Sequence, residues 1–216
     1  MSDLNDGKGQ CQSTARLLVK PVQAVIDLGA ASDVLTKTLN AVHHANRHGS
    51  AGDFIAVALP SMTKGRNCML PGHEIELIGS DASLNNLLQL EGMIALRRRG
   101  MLQEMEVGET FAEPGMIGAA YVRDRNCEKR TPGWIRRSRI RAEKRGKPLG
   151  KPVVPQRNDL SALALYYGQT VIHVRERVGE FTQAPLMVST YGFSGAKDPA
   201  ILPVMPESAR GVGDAA

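Results

Sequence analysis

The order of apolar and amphipathic segments in the first half of the chain is the feature that most constrains its fold. Short strand-like runs alternate there with two helical patterns, and proline, glycine or polar residues separate them. In chain order we predict a strand over 16–21, a helix over 33–48, strands over 54–59 and 74–78, a helix from 81 and a strand over 102–107. This β-α-β-β-α-β order predicts a ferredoxin-like, RRM-like α+β domain over residues 15–112.

Periodicity defines the first helix. Leu35, Leu39 and Val42 recur at intervals of four and three residues, so one face of the helix is apolar. Ser32 or Asp33 can cap its start, and we expect Gly49 to end it. The residues before this domain, 1–14, are polar and glycine-containing, which predicts a flexible tail.

The second helix lies between two predicted strands. Ser80 or Asp81 can cap it, and a leucine stripe from Leu84 to Leu88 gives it an apolar face. Gly92 weakens the helical pattern, so we expect a break there. The strand before it, over 74–78, alternates polar and apolar residues, which predicts that one of its faces is exposed.

The second half of the chain predicts a smaller α+β domain over 113–206. Thr131 and Pro132 can start a basic helix, and Gly146 followed by Pro148 can end it. A linker is expected over 147–156 because this segment holds three prolines and one glycine. Further strands are predicted over 116–123, 160–167, 170–174 and 186–191, and a tail over 207–216.

Composition narrows the class of protein. At 216 residues and 42% hydrophobic residues the chain can bury a real core. Its apolar runs are much shorter than the ~20 residues of a membrane span, and no basic-then-apolar signal begins the sequence. The three cysteines form no CxxC pair, which excludes a zinc finger and makes a disulfide framework improbable. We therefore expect a cytoplasmic protein without membrane contact.

Charge is strongly segregated along the sequence. Residues 123–151 hold 12 Lys and Arg against 3 Asp and Glu, a net charge of +9, whereas the rest of the chain carries −4. One dense basic segment on an acidic body is typical of proteins that bind polyanions. A solubilising loop is the alternative interpretation.

The basic helix within this segment gathers its charge on one face. Four residues share that face, and two more flank it: Arg137, Arg141, Lys144 and Arg145, with Arg136 and Arg139. Arginine suits bidentate contacts with phosphate or guanine. A membrane surface fits less well, because no leucine or phenylalanine stripe covers the other face. Aromatic residues make up only 4% of the chain, so we expect recognition of shape and phosphate rather than base stacking on the sheet.

Three histidines near the end of the first helix and a late turn motif are candidates for chemistry. His44 and His48 have the spacing of a metal pair, but no carboxylate lies nearby, so a single histidine acting as acid or base is the stronger alternative. His43 and its neighbours could also be surface residues. Tyr191-Gly-Phe-Ser-Gly predicts a tight turn after a strand, and Ser194 lacks the surroundings of a nucleophile elbow.

Taken in order, several of these segments resemble a known family. They are the helix with its late histidines, the run 54–60, the helix at 80–88, the Arg-rich helix at 136–145, Gly168-Gln169 and the ending 189–194. The chain resembles the CRISPR-associated repeat-processing endoribonucleases of the subtype I-F kind, in the RAMP superfamily, over most of its length. A relative from type IV systems is the alternative within this resemblance.

The resemblance implies roles for individual residues. It assigns the catalytic histidine to His44, which lies 16 residues before Pro60, and an active-site tyrosine to Tyr191. The family has serines at the positions held here by Ala164 and Tyr166, so Tyr166 is expected to supply a hydroxyl, or else His44 acts without one. The RNA contacts are expected from Arg123, Arg125, Arg136, Arg137, Arg139, Arg141, Lys144, Arg145 and Gln169.

The activity that the resemblance implies is metal-independent cleavage of precursor CRISPR RNA at the base of the repeat hairpin. A ribose 2′-hydroxyl would attack the adjacent phosphorus and leave a 2′,3′-cyclic phosphate, with no cofactor or metal. The expected partners are the repeat hairpin and the other subunits of a CRISPR effector complex. Two alternatives remain from the sequence: a non-catalytic subunit that binds RNA hairpins, and a DNA-binding regulator.

Overall fold

Helices and antiparallel sheets both contribute to the fold, as the sequence predicts. The computed structural model describes residues 7–66, 68–110, 113, 115–125, 127, 132–146, 162–167, 170–182 and 185–204. Its helices are α1 (Gln23–Asp27), α2 (Ala31–His48), α3 (Asp81–Leu88), α4 (Glu91–Arg98) and α5 (Pro132–Lys144). Its strands are β1 (Lys8–Cys11), β2 (Ala15–Val19), β3 (Ala56–Ala58), β4 (Thr63–Lys64), β5 (Met69–Leu70), β6 (Ile75–Gly79), β7 (Val107–Glu109), β8 (Ile117–Arg123), β9 (Leu163–Tyr167), β10 (Thr170–Glu180) and β11 (Leu186–Ser189).

A four-stranded antiparallel sheet forms the first half of the molecule. Its strand order is β3-β6-β2-β7, and helices α2, α3 and α4 pack together beside it. Strand β6 lies between β3 and β2 and is buried along its whole length. The prediction of an exposed face on this strand is therefore wrong. Glu76, its polar residue, is only 8% exposed and pairs with Arg16 at 3.6 Å, so an ion pair covers the face that alternation leaves polar.

Three boundaries in this half differ from the predicted ones. The helical pattern breaks before Gly92, because Gln89 is the C-cap of α3 and Leu90, whose backbone is extended, is the N-cap of α4. The last strand of the sheet begins at Val107, where the predicted strand ends, and pairs with β2. Helix α2 begins at Ala31 with Ala30 at its N-cap, so neither Ser32 nor Asp33 caps it, and it ends before Gly49 as predicted.

The N-terminal residues contribute a strand where the sequence predicts a flexible tail. Strand β1 pairs with β11, and the side chain of Cys11 is buried, with its thiol donating to the carbonyl of Ile78. Gly9 is needed because a Cβ there would lie 2.5 Å from the ring of Phe54. Sequence periodicity cannot show this strand, since its stability depends on pairing with residues almost 180 positions away.

The second half is built on a three-stranded antiparallel sheet with the order β8-β10-β9. Strand β10 extends to Glu180, beyond the predicted end at 174, because it pairs with β9 first and then with β8. Buried side chains from both sheets join in one continuous core. Helix α5 buries no residue. No helix in the described ranges is long and apolar enough to cross a membrane. The predicted linker, the C-terminal tail and Thr131 fall outside these ranges.

Candidate functional site

Three aromatic rings meet where the end of α2 contacts the turn after β11. The rings of His43 and Tyr191 stack with centroids 4.2 Å apart and an angle of 4° between their planes. Tyr167 meets Tyr191 edge to face at 4.9 Å, and its centroid is 6.5 Å from that of His43. The guanidinium carbon of Arg123 lies 5.1 Å from the centre of the Tyr191 ring. We call these four residues the aromatic cluster.

A buried asparagine fixes helix α2 against the turn that carries Tyr191. Asn46 is 1% exposed, and its amide donates to the carbonyls of Ile55 and Thr190 at 2.9 and 3.3 Å. Its oxygen accepts from the backbone N–H of Ile55 at 2.7 Å. Because His43 precedes Asn46 by less than one helical turn, these bonds set the position of His43 relative to the residue before Tyr191.

The backbone of the turn also depends on a glycine. Gly192 has a φ of 80°, and a Cβ on it would lie 2.5 Å from a methyl group of Val57. Its carbonyl accepts from the N–H of Val57 at 2.9 Å, and its N–H donates to the carbonyl of Ser189 at 2.8 Å. The Tyr-Gly motif therefore forms the tight turn that the sequence predicts, and the turn is joined directly to strand β3.

Burial sets the protonation state of the histidine in the cluster. Desolvation lowers the pKa of His43 below its ordinary value of 6.5, and the nearby Thr190 backbone only partly offsets this. The ring is therefore mostly neutral at pH 7, as a general base must be. Its Nδ1 is buried and has no well-formed hydrogen bond among the described residues, so Nε2 is the ring nitrogen that could exchange a proton with a substrate.

Tyr167 is a neutral phenol at any physiological pH. It is 7% exposed, and burial raises its pKa well above 10. Its hydroxyl donates a long bond, 3.5 Å, to the backbone carbonyl of Tyr191. Tyr167 therefore packs against the turn that carries Tyr191 and does not serve as an acid at neutral pH.

An open, basic cleft of about 570 Å³ adjoins the cluster. Its walls include Tyr191 and Arg123 together with strands β8 and β10 and the 194–197 turn. The charged side chains that line it are Lys8, Arg123, Asp124, Arg125, Arg175, Arg177 and Lys197. Asp124 pairs with Arg175 at 2.6 Å, so the cleft keeps a formal charge of +5. We call it the basic cleft.

The structure brings together some predicted site residues and separates others. Tyr191 and Arg123 belong to the aromatic cluster, and Arg125 lies in the basic cleft. His44 is exposed and contacts His48 instead, with ring centroids 4.1 Å apart. Tyr166 is 61% exposed and alternates with the buried Tyr167 on β9, so it faces away from the cluster.

The predicted RNA-binding helix forms, and its charges are accessible. The side chains of Arg136, Arg137, Arg139, Arg141, Lys144 and Arg145 are all exposed. The epsilon nitrogen of Arg141 donates to the carbonyl of Arg137, one turn earlier. Gln169 lies outside the described residues.

The sequence led us to choose His44 over His43 and did not single out Tyr167, although one signal separates the two histidines. Helical residues turn by 100° each, so His43, four residues after Leu39, lies 40° from it on the apolar face. His44 lies 140° from Leu39 and so falls on the polar face. No comparable local signal separates Tyr167 from Tyr166.

Comparisons with known proteins add no assignment. A scan against protein-family models found no match to the chain. A search of curated proteins found none either. In the described ranges no three His, Cys, Asp or Glu side chains are grouped closely enough to hold a metal ion.

Proposed function

We propose that the protein is a metal-independent endoribonuclease that cleaves precursor CRISPR RNA at the base of its repeat hairpin. The observation that carries this proposal is the stacking of His43 on Tyr191, next to Arg123, at the edge of a basic cleft. Such a site offers a base, a positioning ring and a cation within one small region. Those are the groups that ribose-directed cleavage of RNA requires.

The chemistry assigns one task to each group. Nε2 of His43 takes the proton of the 2′-hydroxyl upstream of the cut, and the oxygen attacks the adjacent phosphorus. The bond from phosphorus to the 5′-oxygen breaks, and that oxygen takes a proton from solvent. Arg123 stabilises the charge that develops on the phosphoryl oxygens, while stacking on Tyr191 holds the imidazole in place. The products are a 2′,3′-cyclic phosphate and a 5′-hydroxyl.

The histidine in this proposal is His43, whereas the family resemblance points to His44. The resemblance uses the distance to Pro60, and one additional residue in the loop between α2 and β3 would move the assignment by one position. Packing favours His43, because only this histidine contacts Tyr191 among the described residues. Substitution of each histidine in turn, followed by a cleavage assay, distinguishes the two assignments.

The proposal includes the fold and the mode of RNA binding. The order β3-β6-β2-β7 supports a ferredoxin-like first unit, since the strands of that fold pair in this order. Helix α5 would hold the hairpin stem, because its arginines are exposed and none of its residues is buried. The cleaved hairpin would stay bound and join other subunits of an effector complex in the cytoplasm.

A non-catalytic subunit that binds RNA hairpins is the second candidate. The observation that favours it is that neither of the two positions where the family has a serine places a hydroxyl beside the aromatic cluster. Ala164 stands at one position, and Tyr166 at the other is turned away from Tyr191. Binding through α5 would be the same in both candidates, so only a cleavage assay distinguishes them.

The decisive experiment is cleavage of a labelled repeat RNA in the presence of EDTA. We expect one cut at the base of the hairpin, with a 2′,3′-cyclic phosphate end. A deoxyribose directly upstream of the cut should abolish cleavage and leave binding nearly unchanged, because it removes only the nucleophile. Binding without cleavage would favour the second candidate. Cleavage of the deoxyribose substrate, or a requirement for Mg²⁺, would contradict the mechanism.

A further inference from the structure

The basic cleft extends beyond the groups that the proposed reaction uses. Four further cationic residues line it, from three separate places in the chain: Lys8 on β1, Arg175 and Arg177 on β10, and Lys197 in the 194–197 turn. None of them belongs to the Arg-rich helix. Their convergence on one cleft therefore needs an explanation apart from binding of the hairpin stem.

Hydrogen bonds join the walls of the cleft to one another. Ser194 donates through its N–H to the carbonyl of Tyr121, and its own carbonyl accepts from the N–H of Arg123 at 3.1 Å. One guanidinium nitrogen of Arg177 donates to the carbonyl of Ala196 at 3.3 Å. These bonds join the 194–197 turn to strands β8 and β10, so the cationic side chains start from a fixed backbone.

Size and chemistry restrict what the cleft could hold. A volume of about 570 Å³ is in the range of sites for drug-sized ligands, which corresponds to roughly one or two nucleotides of a single strand. The ring of Tyr191 already contacts His43 and Arg123, and Phe193 is buried, so neither offers a free face for a base. Five net positive charges without a stacking surface suit phosphates rather than bases.

We propose that the basic cleft binds the phosphates of the single-stranded RNA directly 3′ of the hairpin, beyond the cut. This inference rests on the proposed function. In that reaction the paired stem lies upstream of the attacked phosphorus and the leaving strand begins downstream. Tyr191 and Arg123 belong to both the cluster and the cleft, so a strand leaving the cluster enters the cleft directly. Binding there is independent of the tail sequence.

The test compares the affinities of three hairpins for the full chain by fluorescence anisotropy. One hairpin is blunt, one has five uridines at its 3′ end, and one has five uridines at its 5′ end. Each carries deoxyriboses at the stem base so that it stays intact. If two phosphates are bound, the 3′ tail should steepen the slope of log affinity against log salt by about 1.4. The benefit of the tail should then fall about sevenfold between 50 and 200 mM salt. Five adenosines should act like five uridines.

Two variants and a matched control connect the effect to the cleft. Arg177→Ala combined with Lys197→Ala should abolish the benefit of the 3′ tail and leave affinity for the blunt hairpin within about twofold. Ala196→Glu adds a negative charge without removing a contact and should have the same effect. Arg98→Ala combined with Arg99→Ala removes two exposed charges elsewhere and should keep the benefit. Melting curves verify that all variants are folded.

The outcomes separate this inference from the proposed function. Equal affinities of the blunt and 3′-tailed hairpins in the unaltered protein would overturn the inference and leave the proposed function standing. A benefit that survives both cleft variants, or that comes equally from the 5′ tail, would also overturn it. Failure of every hairpin to bind would refute the proposed function and this inference together.

Discussion

At the scale of single residues, the candidate site depends on which of two adjacent side chains faces the protein. His43 and His44 differ by 100° around helix α2, and only the first stacks on Tyr191. Adjacent residues also face opposite ways on strand β9, where Tyr167 is buried under the turn and Tyr166 is 61% exposed. In both pairs the residue beside the predicted one occupies the site.

Single substitutions of the two histidines test the site directly. We expect His43→Ala to slow cleavage of the repeat RNA by about 10²–10⁴-fold, the usual effect of removing a general base, with little change in RNA affinity. His44→Ala should stay within about tenfold of the unaltered protein. The pH profile of kcat/KM should rise to a plateau with a midpoint below 6.5, because burial lowers the pKa of His43 and the neutral ring is the active form.

The reverse result would have a clear meaning. If His44→Ala is the inactive variant and His43→Ala cleaves normally, the family spacing to Pro60 is the correct guide and the stacked histidine is structural. If both variants cleave normally, another group must take the proton. Single-turnover rates on the same labelled RNA decide among these outcomes.

A second residue-scale prediction concerns Asn46. Asn46→Ala leaves the buried N–H of Ile55 and the carbonyls of Ile55 and Thr190 without this partner. Unsatisfied buried groups of this kind cost about 1–3 kcal/mol each, so for the three groups we expect a loss of at least about 3 kcal/mol in the free energy of unfolding. Denaturant titration measures it. Asn86→Ala, at an exposed position on α3, is the matched control and should change stability by no more than about 0.5 kcal/mol. Equal stability of the two variants would contradict this role for Asn46.

At the scale of helices and strands, the sequence predicted the elements whose signals are local. The periodicity of α2, the cap of α3 and the Pro–Gly boundaries of α5 were sufficient to place these helices. Strand β1 and the second half of β10 were missed because their stability comes from distant partners. The exposed face predicted for β6 was wrong because an ion pair, which alternation cannot show, covers its glutamate.

The prediction at this scale concerns how helix α5 contributes to RNA affinity. If it neutralises about six phosphates, log affinity for the repeat hairpin should fall with log salt at a slope of about −4 to −5. Arg137→Ala combined with Arg141→Ala should weaken binding by roughly 2–6 kcal/mol, at 1–3 kcal/mol for each bidentate base contact. The melting temperature should hardly change, because no residue of the helix is buried. Anisotropy at several salt concentrations measures both quantities.

The control for helix α5 is again the pair Arg98→Ala and Arg99→Ala, which removes the same charge from the end of α4. It should leave the salt slope of the blunt hairpin unchanged. Affinity that is equal in the α5 variant and the control would show that the hairpin binds elsewhere. A DNA hairpin of the same sequence bound equally well would favour a DNA-binding regulator.

At the scale of the whole molecule, residues from both predicted domains build one core. Strand β1 pairs with β11 near the other end of the chain, and the N–H of Val57 in the first sheet donates to the carbonyl of Gly192 after β11. The site lies at this junction, with His43 from the first unit and Tyr167 and Tyr191 from the second. The sequence predicted the two units, but it could not predict the junction, because no local pattern encodes contacts between distant segments.

This junction predicts how the protein unfolds. If the two units share their core, calorimetry should give one transition whose calorimetric enthalpy equals the van't Hoff enthalpy. Gly192→Ala should lower its midpoint, because a Cβ at a φ of 80° is strained by about 1–3 kcal/mol and would contact Val57 across the junction. Gly100→Ala, also at a positive φ but with open space around it, is the control for strain without that contact and should have the smaller effect. Two transitions, of which Gly192→Ala shifts only one, would mean that residues 15–112 fold independently. The site would then form only when two separate domains dock.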